Sequence, residues 1–129
     1  MAHEVLNGDG MTEVRVWGDC SESELLGILT QLWEKDRGKH SSDLRIVAPG
    51  CLIPFGTYPR IVDRLRQFCQ ADQMTHGRRT AIVASDEFQK ALLELYRIES
   101  QSLPFEVGVF MSRDEAVRWL REDQQPAQA

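Results

Sequence analysis

A chain of 129 residues with 42% hydrophobic and 27% charged residues has enough material for one domain with its own core. Its net charge of −5 argues against generic binding to nucleic acid or an anionic membrane, and no apolar run nears the about 20 residues of a membrane span. Cys20, Cys51 and Cys69 are odd in number and share no Cys-x-x-Cys spacing. With no signal-like start, they point to a reduced, cytoplasmic chain.

Taken in order, HEVL and TEVRVW flank NGDGM, whose Asn-Gly and Asp-Gly pairs favour a hairpin turn. In the second arm Val14 and Val16 share one face, with Glu13, Arg15 and Trp17 on the other. SESELLGILTQLWEKD opens with the capping-box pair Ser21 and Glu24 and repeats Leu25, Leu26, Ile28, Leu29, Leu32 and Trp33 at helical spacing. Gly38 helps to end that segment. LRIVA, without polar alternation, predicts a strand covered on both faces.

PRIVDRLRQFCQ then sets Ile61, Leu65, Phe68 and Cys69 on one helical stripe, with Pro59 in the first turn. TAIVA is a second covered strand. Ser85 is the expected cap of the next helix, with Phe88, Leu92, Leu95 and Tyr96 facing inward. FEVGVF is a third strand after a Pro-marked turn, and Ser112 with Glu115 opens a last helix burying Ala116, Val117 and Leu120. The expected fold is α/β, a mainly parallel sheet of about five strands with an N-terminal antiparallel hairpin and four helices. One domain spans 1–122, and 123–129 form a disordered tail rich in Gln and Ala.

Reactive constellations are missing from this pattern. No Gly-x-Gly-x-x-Gly, Walker-type or Gly-x-Ser-x-Gly phrase occurs, and His3, His40 and His76 lack partners at ligand spacing. The expectation is a protein that is not an enzyme and has neither metal nor cofactor. Arg60, Arg64 and Arg66, interrupted by Asp63, and the pair Arg78 and Arg79 read as solvated surface, so no nucleic-acid partner is expected.

In a parallel sheet, ligands sit beyond the carboxyl ends of the strands, and that rim carries Cys51, Ser85, Asp86 and Ser112. It also carries APGCLIPFGTYP, residues 48–59, too broken by Pro and Gly for a helix yet unusually apolar for a loop. Cys51, Leu52, Ile53, Phe55 and Tyr58, with Ser85, are the candidate binding residues. They either cover the end of the core or form a contact surface for a protein or an apolar small molecule. Cys51 reads as a packing residue rather than a nucleophile.

The phrases RRTAIVASDEF and LYRIESQSLPFEVGVFMSRDEAVRWL, with VRVWG near the N-terminus, resemble the STAS family, in particular its SpoIIAA-like branch, which is related to the CRAL-TRIO lipid-binding fold. Gly18, Val107, Val109, Phe110, Asp114, Glu115, Ala116, Trp119 and Leu120 carry the likeness. It implies a regulatory or binding module acting through protein–protein contact, as a homodimer or with another protein, or else a carrier of an apolar ligand. Thr57 falls at the position phosphorylated in the family's anti-sigma-factor antagonists, at a helix N-terminus that would favour phosphate. Phe55 and Tyr58 stand where that motif has Asp and Gly, and a plain helix cap is the simpler role for Thr57.

Overall fold

The computed structural model describes residues 2–8, 11–19, 21–35, 42–51, 58–71 and 79–122. Cys20, Gly38, His40, His76, Arg78, the turn at 9–10, residues 52–57 and the tail 123–129 lie outside them. The hairpin pairs β1 (Ala2–Gly8) with β2 (Met11–Trp17), antiparallel, from Ala2 opposite Trp17 to Gly8 opposite Met11. Helix α1 (Glu22–Lys35) leads to β3 (Asp43–Val47), α2 (Tyr58–Ala71) to β4 (Arg79–Val83), and α3 (Glu87–Glu99) to β5 (Glu106–Phe110). A 3-10 turn (Ser100–Ser102) precedes β5, and α4 (Arg113–Glu122) closes the described chain. The fold is therefore the expected α/β one: an antiparallel hairpin continued by three parallel strands, with four helices.

Local chemistry accounts for the helix starts. The Glu24 amide donates to Ser21 Oγ at 3.2 Å, and the Ser21 hydroxyl donates to Glu24 Oε1 at 3.1 Å. Ser112 plays the same part in α4, accepting from the Glu115 amide at 3.4 Å. In α3, however, the cap is Asp86 and not Ser85: Asp86 Oδ1 accepts from the Gln89 amide at 2.7 Å. Ser85 is drawn away because its hydroxyl donates to the Val47 carbonyl, so the helix starts one residue later.

The strand order is simply β1-β2-β3-β4-β5. Each crossover from β2 onward steps in the same direction, and right-handed crossovers then put α1, α2 and α3 on one face. Packing bears this out: Val14, Val16, Val47 and Ile82 meet Leu29 and Trp33 of α1, Ile61, Leu65 and Cys69 of α2, and Leu93 and Tyr96 of α3. Trp33 stacks on Phe68 with ring centroids 5.5 Å apart, joining α1 to α2.

Among the described helices, only α4 covers the reverse face, where Ala116 and Leu120 pack on Leu44, Ala81 and Val83. The expectation that Arg79 is solvated fails here. Its guanidinium lies 4.6 Å from the Trp119 ring centroid and donates to the Trp119 carbonyl at 2.8 Å, tying down the last turn of α4. Gly108 leaves room for this packing, since a Cβ there would lie 2.8 Å from the Phe110 ring.

Candidate functional site

Three places were built up from the residues: the rim at the carboxyl ends of the strands, a cavity beneath it, and the outer face of α3. The rim begins where β3 ends. Ala48–Pro49–Gly50–Cys51 form a type II turn, with Gly50 at φ +78° and the Cys51 amide donating to the Ala48 carbonyl at 3.2 Å. The turn sends Cys51 inward, where burial pushes its thiol pKa up and away from thiolate character. Cys51 and Cys69 are both buried, free thiols.

A residue that sequence reading missed ties the described part of this rim together. Gln89, buried in the first turn of α3, donates from Nε2 to the Ala48 and Cys51 carbonyls, each at 3.1 Å. Its Oε1 accepts from the Ser85 amide at 2.6 Å. Together with the Ser85 hydroxyl on Val47, these bonds satisfy the Val47, Ala48 and Cys51 carbonyls and the Ser85 amide. The sequence carried no sign of this, because a Gln at that spacing reads as surface.

Strand order bears on the same rim. Crevices in open α/β sheets form where the strand order reverses, and the five described strands run in sequence without a reversal. Of the predicted binding residues, Cys51 and Tyr58 are brought together as walls of one small void of about 10 Å³, room for no more than a single water. Ser85 stands beside them with its hydroxyl engaged. Leu52, Ile53, Phe55 and Thr57 lie outside the described residues. Among the described residues no group of three or more His, Cys, Asp or Glu could hold a metal ion. No described helix is long and apolar enough to cross a membrane.

Beneath the rim, between the sheet and α1–α3, lies a larger cavity of about 60 Å³. Its walls include Val14, Leu29, Ile61 and Ile82, and three polar side chains reach it: Arg45, Tyr58 and Tyr96. Arg45 stands mid-sheet, its side chain only 16% exposed, and donates from Nε to Asp43 Oδ2 at 3.0 Å. Tyr58 packs edge-on to Tyr96 at 5.4 Å between centroids. Burial, then the neighbouring Tyr96, push its phenol pKa up to about 12.

On α3 the expected inward stripe is split: Tyr96 is buried as expected and Leu92 half-buried, but Phe88 and Leu95 face outward. Gln89, Leu93 and Tyr96 are buried, whereas Phe88 is 65% exposed, Leu95 44% and Ile98 52%. Phe88, Ala91, Leu95 and Ile98 follow at intervals of three, four and three, which places them along one side of the helix. Helix α3 is thus apolar on two sides, and only one of them meets the core. Compared with family models, with curated proteins and with solved structures, the chain has no match in any of the three.

Proposed function

We propose that this chain is a non-enzymatic binding or regulatory module of the STAS, SpoIIAA-like kind, acting through protein–protein contact. The observation that carries the reading is the second apolar stripe of α3, Phe88, Ala91, Leu95 and Ile98, set on a helix already anchored by its other side. Exposed apolar residues in a row mark contact surfaces, whereas single ones need no explanation. The element order and the phrases around AIVAS and VGVF support the kinship. The Gln89 bonds across the rim and the unreversed order of the described strands support contact over catalysis.

Charge names the partner's chemistry. The stripe is bordered by Glu87 and Glu94 on one side and Glu99 on the other, and the neighbouring Arg97 is held by Glu94 at 2.6 Å. Two copies meeting through this face would set Glu beside Glu. The matching surface is an amphipathic helix with an apolar face flanked by Lys or Arg.

The test is an amide NMR titration of the full chain with two designed helical peptides that share one apolar face. One peptide is flanked by Lys and the other by Glu. Saturable shifts centred on α3 with the Lys-flanked peptide, at least 10-fold weaker with the Glu-flanked one and with Leu95→Asp, are expected. Equal binding of both peptides, or shifts that map elsewhere, would overturn the reading.

A further inference from the structure

We infer that the cavity between the sheet and α1–α3 is a binding site for a small neutral carbonyl compound, a short-chain ketone or aldehyde, whose oxygen accepts the Tyr58 hydroxyl proton. The inference is independent of the α3 surface.

It starts from a hydroxyl with nothing to bond. Tyr58 is 3% exposed, and its hydroxyl has no hydrogen-bond partner among the described residues. Buried polar groups in folded proteins are nearly always satisfied, and leaving one unsatisfied opposes folding. Tyr58 lines the cavity, so a guest there can supply the partner that the described residues do not.

The other polar groups decide the guest's charge and its hydrogen-bonding sense. Arg45 is the cation at the cavity, but Asp43, 5% exposed, answers it at 3.0 Å inside the same buried layer. An added carboxylate would be a second anion against one guanidinium, buried at high desolvation cost. A neutral guest avoids this. Arg45 has donors only, and Tyr58 is a neutral phenol able to donate. Burial opposes the charge on Arg45, but Asp43 and then Tyr96, whose oxygen meets the guanidinium, outweigh it and raise its pKa. A carbonyl brings two lone pairs and no donor, so it takes the Tyr58 proton without adding a proton of its own that must be satisfied among Val14, Leu29, Ile61 and Ile82.

Volume sets the size. About 60 Å³ is the liquid share of roughly two waters and under half of the about 150 Å³ that accommodates benzene. The guest has about three or four non-hydrogen atoms. Water is the competitor, but it needs two to four polar partners and the walls are chiefly apolar. For so small a guest, Kd is no tighter than about 40 µM.

The test uses the full chain labelled at its methyl groups, titrated with acetone and, as a near-isosteric anion, acetate, followed by NMR. Acetone is expected to shift the methyls of Val14, Leu29, Ile61 and Ile82 to saturation, with acetate at least 10-fold weaker. Tyr58→Phe separates a ligand group from a structural one. Without guest it is expected to raise Tm, because an unsatisfied hydroxyl is gone, while acetone binds about 3- to 10-fold more weakly. Any one of four results overturns the inference: no saturable shift at those methyls, acetate binding as tightly as acetone, unchanged affinity in Tyr58→Phe, or a lower Tm of that variant, which would mean ordered water satisfies the hydroxyl.

Discussion

At the scale of single residues, Gly50 answers why an apolar loop begins with Ala-Pro-Gly-Cys. Pro49 presets the first central position of a type II turn, and the second needs a positive φ, which Gly50 supplies at +78°. The turn redirects the chain so that Cys51 enters the core and its carbonyl faces Gln89. A Cβ at Gly50 would meet nothing within 4 Å, so the penalty of Gly50→Ala is conformational alone. Gly50→Ala is expected to lower stability by about 1–2 kcal/mol, read by urea unfolding. A loss below about 0.3 kcal/mol would mean the turn does not require its left-handed conformation. The turn residues were legible as a break in the sequence. Their consequence, a buried thiol and a hydrogen-bonded rim, depended on Gln89, forty residues away from Pro49 and silent in any local pattern.

Element by element, periodicity located each helix and strand but could not choose between two stripes on one helix. Hydrophobicity alone favours Phe88, Leu92, Leu95 and Tyr96 as the inward stripe of α3, whereas the buried residues are Gln89, Leu93 and Tyr96. Gln89 tips the choice. Turned inward, its amide meets two carbonyls and one N–H at the rim, which fixes the helix rotation and leaves Phe88 outside. Gln89→Leu, apolar and similar in size, should therefore destabilise despite adding hydrophobicity to a buried site. Loss of about 2–3 kcal/mol is expected, because the Ala48 and Cys51 carbonyls and the Ser85 amide lose their partner. A neutral or stabilising result in urea unfolding would show that the rim does not set the rotation of α3. The strands raised no such ambiguity, since alternation assigns each residue to one of two faces, and Val14 and Val16 lie on the helix-covered one as expected.

Over the whole molecule, alternation of strand and helix was enough to read a mainly parallel sheet, and the ladders joining β3, β4 and β5 bring Cys51, Ser85 and Ser112 to one rim. Whether that rim would open could not be read from alternation, because it depends on strand order. Among the described strands the sequential order has no reversal to open a crevice, and a cavity lies inside, against Arg45 and Tyr58. The same order leaves one described helix, α4, to cover the reverse face, held at its end by Arg79 and at its start by Arg113. Arg113 opposes the helix dipole in the first turn, where Asp114 and Glu115 favour it.

The compensation comes from Glu13 of β2, whose Oε1 accepts from Arg113 at 2.7 Å and whose Oε2 accepts from Arg15 at 2.9 Å. Burial alone would raise the Glu13 pKa, but the hydrogen bonds from Arg113 and Arg15 and their charges together hold it below its ordinary 4.5. A carboxylate whose pKa is lower folded than unfolded stabilises the fold at pH values above the unfolded pKa, and the benefit disappears as pH falls through the folded one. Wild type is therefore expected to exceed Glu13→Gln by about 1 kcal/mol at pH 7, an amount kept small by the half-exposed arginines. The difference should hold down to about pH 5 and shrink below about pH 4.5, as urea unfolding at several pH values would read. A gap that widened with acid would mean that Glu13 is protonated in the fold and that α4 is held by Arg79 and the packing of Leu120 alone.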